Sequence, residues 1–176
     1  MRIYEGSPRQ DFEEVLRSIG VYLDARGMRD VMVMEAPDGF IVQALTLVGA
    51  TASTWSEAVG KVEKETMTFL DDDISKFMDD ASDRRGSGAQ ADHFSAGRYE
   101  HSFRVIGRYL DEQHPKDIFF FEQDGAFVLR LHHANQVGAR HVLVEFTRDE
   151  IEALVAKGPT LRIPARKPGS PEATRG

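Results

Sequence analysis

The sequence contains no cysteine among its 176 residues. Disulfide bonds, thiol nucleophiles and thiolate metal sites are therefore excluded, and the absence is typical of a reducing cytoplasm. No apolar run approaches the ~20 residues that a membrane-spanning helix needs, and residues 1–5 do not resemble the start of a signal peptide. We therefore expect a soluble, cytoplasmic protein with no membrane partner.

An excess of positive charge is also missing, because 22 Lys and Arg face 29 Asp and Glu, a net charge of −7. This balance opposes nonspecific phosphate binding, so we predict no nucleic-acid partner. P-loop, GxGxxG, GxSxG and HExxH motifs are absent as well, which removes the common nucleotide and hydrolase fingerprints. What is present is a 41% hydrophobic fraction, enough to form a folded core.

The chain is similar to itself. Residues 12–35 match residues 99–122 at a constant offset of 87, with nine identities in 24 positions. After a one-residue slip, Asp38 and Gly39 align with Asp124 and Gly125, and a third block aligns Phe69 with Phe146. Such self-similarity is the mark of an internal repeat.

Each copy has the pattern of a helix, three antiparallel strands and a second helix. The predicted fold class is α+β, a tandem pseudo-repeat whose two copies pack about a pseudo-twofold axis. The predicted boundaries are a first αβββα repeat at 1–82, a linker at 83–96, a second αβββα repeat at 97–158 and a flexible tail at 159–176.

Local signals refine this pattern. Ser7 followed by Pro8 predicts the start of the first helix, and Thr147 with Glu150 predicts a capping box before the last one. Glu13 and Arg17 have the spacing of an ion pair within one helix, which recurs at 100 and 104.

Glycine recurs inside the first helix of each copy, at Gly20 and Gly107. A helix-interior glycine costs about 1 kcal/mol relative to alanine, so we expect another backbone to approach closely there. The predicted core consists of the apolar positions that the two copies share: Phe12, Leu16, Ile19, Leu23, Val33, Phe69, Phe77, Tyr99, Phe103, Ile106, Leu110, Phe120, Phe146 and Leu154.

All six histidines lie between His93 and His141. If the last hairpin turns about residues 136–137, His132 faces His141, with Arg130 and Glu145 on the same face. Two imidazoles and a carboxylate are ligands that zinc or another divalent metal accepts, so His132 and His141 are the candidate metal ligands. A solvated polar face is the alternative, and we predict no catalytic residue and no required cofactor.

The two copies differ most on one predicted sheet face. Ala44, Thr46, Thr66 and Thr68 in the first copy correspond to Arg130, His132, Leu143 and Glu145 in the second. The candidate binding residues are therefore Arg130, His132, His141, Glu145, Thr46, Thr66 and Thr68. Random divergence of a solvent-exposed face is the competing explanation.

The order of elements resembles the saddle of the TATA-box-binding protein in topology only. DNA binding of that kind uses a basic sheet with apolar wedges, whereas the predicted face offers threonines, one arginine and a glutamate. The resemblance therefore implies no activity.

Three functional hypotheses remain. The favoured one is a non-catalytic binding or adaptor protein, holding a small ligand or a protein partner on the sheet face or in a groove between the repeats. The alternatives are a metal-assisted hydrolase using His132, His141 and Glu145, and a structural subunit of a homo-oligomer.

Overall fold

The computed structural model describes residues 11–47, 62–70, 76, 98–135 and 138–157. Its helices and strands follow the order α1 (Phe12–Ala25), β1 (Arg29–Ala36), β2 (Gly39–Leu47), β3 (Val62–Leu70), α2 (Arg98–Gln113), β4 (Asp117–Gln123), β5 (Ala126–Asn135), β6 (Gly138–Phe146) and α3 (Arg148–Lys157). The predicted α+β class is confirmed. The predicted linker and tail, Phe77, and the second helix of the first repeat apart from residue 76 lie outside the described residues.

The six strands form one antiparallel sheet in the order β3-β2-β1-β4-β5-β6. β1 and β4 pair at its centre, where Val33 lies opposite Phe120, 87 residues further along the chain. Antiparallel sheets commonly have one face on the core and one face toward solvent. Here α1 and α2 pack on one face, and α3 contacts α2 on that same side.

The strand registers correct the sequence alignment. Val42 pairs with Val33 in the first half, and Leu129 pairs with Phe120 in the second. Val42 and Leu129 therefore hold the same register positions in the two hairpins, 87 residues apart, and the registers contain no one-residue slip. Because side chains alternate between faces, that slip had exchanged the two faces of β2.

The core lies between the helices and the sheet. The Phe12 ring packs edge-on against Phe40 at 6.4 Å, and Phe103 packs against Phe120 at 5.2 Å between ring centroids. The predicted core residues that the structure describes are buried, except Phe69 and Leu154, which are half-buried against the same cluster.

The glycines mark the contact between α1 and α2. A Cβ atom placed on Gly20 would lie 2.5 Å from the carbonyl carbon and oxygen of Tyr99. A Cβ atom on Gly107 would lie 2.5 Å from the carbonyl oxygen of Phe12. Real Cβ atoms essentially never come so close, so the predicted approach of another backbone is confirmed at both positions.

The antiparallel helices cap each other. The Asp111 carboxylate accepts hydrogen bonds from the amides of Phe12 and Glu13, at 2.8 and 3.0 Å. Asp24 accepts the equivalent bonds from the amides of Tyr99 and Glu100, both at 3.0 Å. Each carboxylate thus satisfies amide groups that the first turn of the other helix leaves without partners.

Burial opposes the charge on these carboxylates. It raises the pKa of both Asp24 and Asp111 from 3.8 to about 6, although the amide hydrogen bonds act in the opposite direction. Ser7, the predicted local cap, lies outside the described residues; α1 begins after Asp11, and Asp11 makes no side-chain cap bond. The cap comes from the other helix instead.

Ion pairs also connect α1 with α2. Arg17 bonds Glu100 at 3.1 Å, and Arg108 bonds Glu13 at 3.0 Å. The close crossing brings Glu13 and Glu100 within reach of arginines on the other helix. The ion pairs predicted within each helix, Glu13 with Arg17 and Glu100 with Arg104, stay predictions. The capping box before α3 is confirmed: the Thr147 amide donates to Glu150, and the Glu150 amide donates to the Thr147 hydroxyl.

Candidate binding face of the sheet

The face of the sheet away from α1, α2 and α3, here called the open face, is largely apolar. Alternation along the paired strands places ten large apolar side chains on it that are each at least partly exposed: Met32, Met34, Ile41, Leu45, Val62, Leu70, Phe119, Phe121, Val128 and Leu143. Met34 and Leu70 are 36% and 40% exposed. By contrast, Val33, Val42 and Phe120 on the helix-covered face are fully buried.

Four of these side chains form an apolar strip at the centre of the open face. Met32 lies opposite Phe121, and Met34 lies opposite Phe119, across the β1–β4 seam. The two phenylalanine rings are 6.0 Å apart and tilted by 51°. Arg130, opposite Phe119 on β5, holds its guanidinium 5.1 Å from the centre of the Phe119 ring.

The histidine pair lies beside this strip. His132 faces His141 in the β5–β6 register, as predicted, and the rings stack at 4.8 Å with an interplanar angle of 18°. Nδ1 of His132 lies 2.8 Å from a carboxylate oxygen of Asp117. Nε2 of His132 is buried and has no hydrogen-bond partner among the described residues.

A metal centre needs more ligands than this pair supplies. Within the part of the chain that the structure describes, no group of three or more His, Cys, Asp or Glu side chains could hold a metal ion. Glu145, the predicted third ligand, pairs with Val128, four residues along β6 from His141. A divalent metal on His132 and His141, and the hydrolase hypothesis that depends on it, stay predictions.

The other predicted binding residues divide between the two faces. Arg130, Glu145, Thr66 and Thr68 share the open face with the histidines. Thr46 lies on the opposite face, two residues after Ala44, which is 1% exposed in the core. The predicted placement of Ala44 and Thr46 on the divergent face is wrong, because the supposed slip shifted β2 by one residue.

Sequence reasoning missed the apolar strip altogether. Unbroken apolar runs at 31–34 and 118–121 predict strands buried on both faces. The antiparallel order of the predicted strands was the signal that could have revealed the strip. One layer of helices covers only one face of such a sheet, so apolar residues on the other face of its central strands indicate an interaction surface.

Polar groups also occur at the far end of β5. His133 lies on the helix-facing side opposite Arg140. Burial lowers the pKa of His133, and the nearby charges of Arg140 and His132 add to the effect. The neutral imidazole is thereby favoured, so His133 adds little positive charge to this end of the sheet.

None of the helices among the described residues is long and apolar enough to cross a membrane. Compared with protein families, curated proteins and solved structures, the chain matches none.

Proposed function

We propose that this chain is a non-catalytic binding protein that holds a polypeptide partner on the open face of its sheet. The observation that carries the proposal is the apolar strip of Met32, Met34, Phe119 and Phe121, partly exposed at the centre of the face. Contiguous exposed apolar surface on a folded protein commonly marks a site of interaction.

We also propose that the chain is a tandem pseudo-repeat with a pseudo-twofold axis through the β1–β4 seam. Reciprocal pairing supports it: Met32 and Met34 face Phe121 and Phe119, which are their own equivalents taken in reverse order. The mutual capping by Asp24 and Asp111 supports the same axis. On this arrangement the strip straddles the axis, and both halves contribute to it equally.

The dimensions favour a polypeptide over a small ligand. Six strands at about 4.8 Å spacing span about 24 Å, and small molecules bind in concave pockets that cover most of their surface. Phenylalanine, methionine and arginine are also the residue types enriched in protein–protein interfaces. A broad sheet face lined with them suits an extended or helical segment of a partner.

Arg130 indicates the charge of that partner. It is exposed and lies over the Phe119 ring, so it is the charged group that adjoins the strip most directly. A carboxylate on the partner would pair with this guanidinium while apolar side chains cover the strip. The partner segment is therefore apolar and acidic.

The test uses peptides selected from a random displayed library against the full chain. The best peptide is then measured by fluorescence anisotropy against the natural chain, Met34→Glu and Ala153→Glu. We expect Met34→Glu to weaken binding at least ~10-fold, because the new carboxylate would be desolvated against apolar groups. Ala153→Glu places the same charge on the exposed side of α3 and should leave the affinity unchanged.

Two outcomes overturn the proposal. Equal binding by Met34→Glu and the natural chain would place the peptide site elsewhere. A concentration-dependent dimer that Met34→Glu converts to monomer, measured by sedimentation, would assign the open face to a second copy of this chain and favour the homo-oligomer hypothesis.

A further inference from the structure

A second candidate site lies away from the open face, in a cavity of about 730 Å³ between the sheet and α3. Its lining includes Arg29 and Asp30 from the start of β1, Glu122 from β4 and Phe127 from β5. Ile151 of α3 completes an apolar wall. Cavities of about 300–1,000 Å³ are typical of small-molecule sites.

Buried polar groups lie beside this cavity. Glu122 is 9% exposed and accepts a hydrogen bond from the hydroxyl of fully buried Tyr99. Ser102, 7% exposed, also lines the cavity. The residues 87 positions earlier than Tyr99 and Ser102 are Phe12 and Val15, both buried.

The first half therefore packs the equivalent positions with apolar groups alone. Burying a hydroxyl costs free energy unless hydrogen bonds compensate for its lost hydration. Two such groups next to one cavity make its buried end polar, which favours a polar ligand there.

A strand irregularity supports the same conclusion. Successive residues of a regular strand point to opposite faces, yet Arg29 and Asp30 both line the cavity. The β1–β2 register shifts between Arg29 and Met32, whereas the equivalent β4–β5 register runs unbroken from Asp117 to Gln123. Bulges of this kind redirect side chains and are frequent next to functional sites.

The charges around the cavity favour a cation. Two arginines line it, against four carboxylates: Asp30, Glu122, Asp124 and Glu152. Arg148 is engaged by Glu152 in its own helix at 2.9 Å. Burial raises the pKa of Asp24, and the positive charge of Arg29 opposes that rise, so Arg29 also acts on a carboxylate outside the cavity lining. The remaining carboxylates leave an excess of negative charge.

The four carboxylates that line the cavity do not converge as the ligands of one metal ion would. No group of three metal-binding side chains occurs among the described residues, so a single metal ion does not fit this lining. Separate carboxylates with Phe127 and Ile151 beside them fit a longer cation that carries its charges at two ends and an aliphatic chain between them.

We propose that this cavity binds a linear aliphatic diamine, with one ammonium group on Glu122 and the other at the rim formed by Asp30 and Asp124. Phe127 and Ile151 contact the methylene chain. The site is independent of the open face, because Glu122 and Phe127 belong to the opposite side of the sheet.

The experiment is calorimetric titration of the full chain with 1,5-diaminopentane at pH 7 and low ionic strength. We expect saturable binding of one molecule, at least ~10-fold weaker in Glu122→Gln. Glu35→Gln is the matched control, because Glu35 is the equivalent carboxylate 87 residues earlier and does not line the cavity. It should bind as the natural chain does.

Two further variants keep the test decisive. Should Glu122→Gln unfold, Asp124→Asn is used, since Asp124 is exposed with φ of 52° and asparagine tolerates that conformation. Asp124→Asn should weaken binding about 3-fold, because it removes one rim charge. Met34→Glu should bind the diamine normally, so failure of this proposal and failure of the open-face proposal are distinguishable.

Three results would overturn the inference. One is the absence of saturable binding up to about 10 mM diamine. Another is an equal loss of affinity in Glu35→Gln. The third is displacement of the diamine by an equal concentration of magnesium chloride, which would show attraction to an acidic surface in place of a shaped site.

Discussion

Replacing Gly107 by alanine should destabilise the protein, although alanine is the better helix former. The new Cβ atom would lie 2.5 Å from the carbonyl oxygen of Phe12 and 2.6 Å from Cα of Glu13, where ordinary contact begins near 3.4 Å. The helices must therefore separate locally by about 0.9 Å. Both obstacles are backbone atoms, so no side-chain rotation relieves the clash.

The magnitude follows from two opposed terms. Overpacking a tight contact costs about 1–3 kcal/mol, and the upper end applies because a whole helix must move. Alanine returns about 1 kcal/mol of helix propensity. The net loss in the free energy of unfolding should be about 2 kcal/mol, which corresponds to about 4–8 °C in Tm for a domain of this length.

Chemical denaturation of the natural chain, Gly107→Ala and Glu112→Ala would measure this loss. Glu112 is exposed on the same helix, so its replacement should change stability by no more than about 0.5 kcal/mol. Gly20→Ala should match Gly107→Ala, and the double variant should cost less than the sum, because the first separation relieves the second clash. A Gly107→Ala protein as stable as the natural chain would refute the close crossing.

Three other changes test the fold. Ile106→Ala, at a fully buried position, should cost ~2–5 kcal/mol in the free energy of unfolding by urea denaturation, and a loss below 1 kcal/mol would contradict its burial. Burial raises the pKa of Asp24 to about 6, so the folded state binds more protons than the unfolded state between about pH 4 and 6, and this group's contribution to stability falls as pH rises through that window. The difference in the free energy of unfolding between the natural chain and Asp24→Asn should therefore change across that window. A constant difference from pH 4 to 8 would contradict the burial of the charge. Residues 1–86 alone should give no cooperative thermal transition as a monomer, because the strand that pairs with β1 and the carboxylate that caps α1 both belong to the second half. A cooperative monomeric melt comparable to that of the full chain would show that the halves are independent.

The helices, strands and core were predictable because their signals are local or periodic. Apolar spacing identifies the buried stripe of α1 and α2, and turn residues such as Asp124 and Gly125 bound the strands. The crossing at Gly20 and Gly107 was predictable for a different reason: a locally unfavourable residue recurred at the same place, which pointed to a shared packing demand.

The mutual caps could not be predicted in the same way. Aspartate occurs at both 24 and 111, positions that the sequence alignment pairs, so this recurrence was visible in the sequence. Their role depends on the antiparallel approach of two helices almost 90 residues apart, and no local spacing encodes that approach. The nearby Ser7-Pro8 signal favoured a local cap, whereas the structure places the carboxylate of another helix against the first turn.

The binding face was predictable only in part, because a one-residue error in the alignment of a strand moves each of its side chains to the other face of the sheet. The β5–β6 hairpin was assigned correctly, and His132, His141, Arg130 and Glu145 share one face as expected. The slip in β2 moved Thr46 to the wrong side, and continuous apolar runs concealed which side of β1 and β4 is uncovered. Pairing registers, which the sequence does not contain explicitly, decide both questions.

Differences between the halves offer a last test, because positions that packing alone governs should be interchangeable. Giving the second half the first half's residues, in the double variant Tyr99→Phe and Ser102→Val, removes both buried hydroxyls beside the cavity. The first half combines Phe12 with Glu35 at the positions 87 residues earlier, so the fold should accept this exchange, with a loss of about 1–3 kcal/mol in the free energy of unfolding because the buried Glu122 carboxylate loses the Tyr99 hydroxyl. Diamine binding should weaken at least ~10-fold, because Glu122 loses the hydroxyl that orients it. Loss of stability by more than about 3 kcal/mol would instead show that the hydroxyls are structural, and unchanged diamine affinity would show that they do not serve the site.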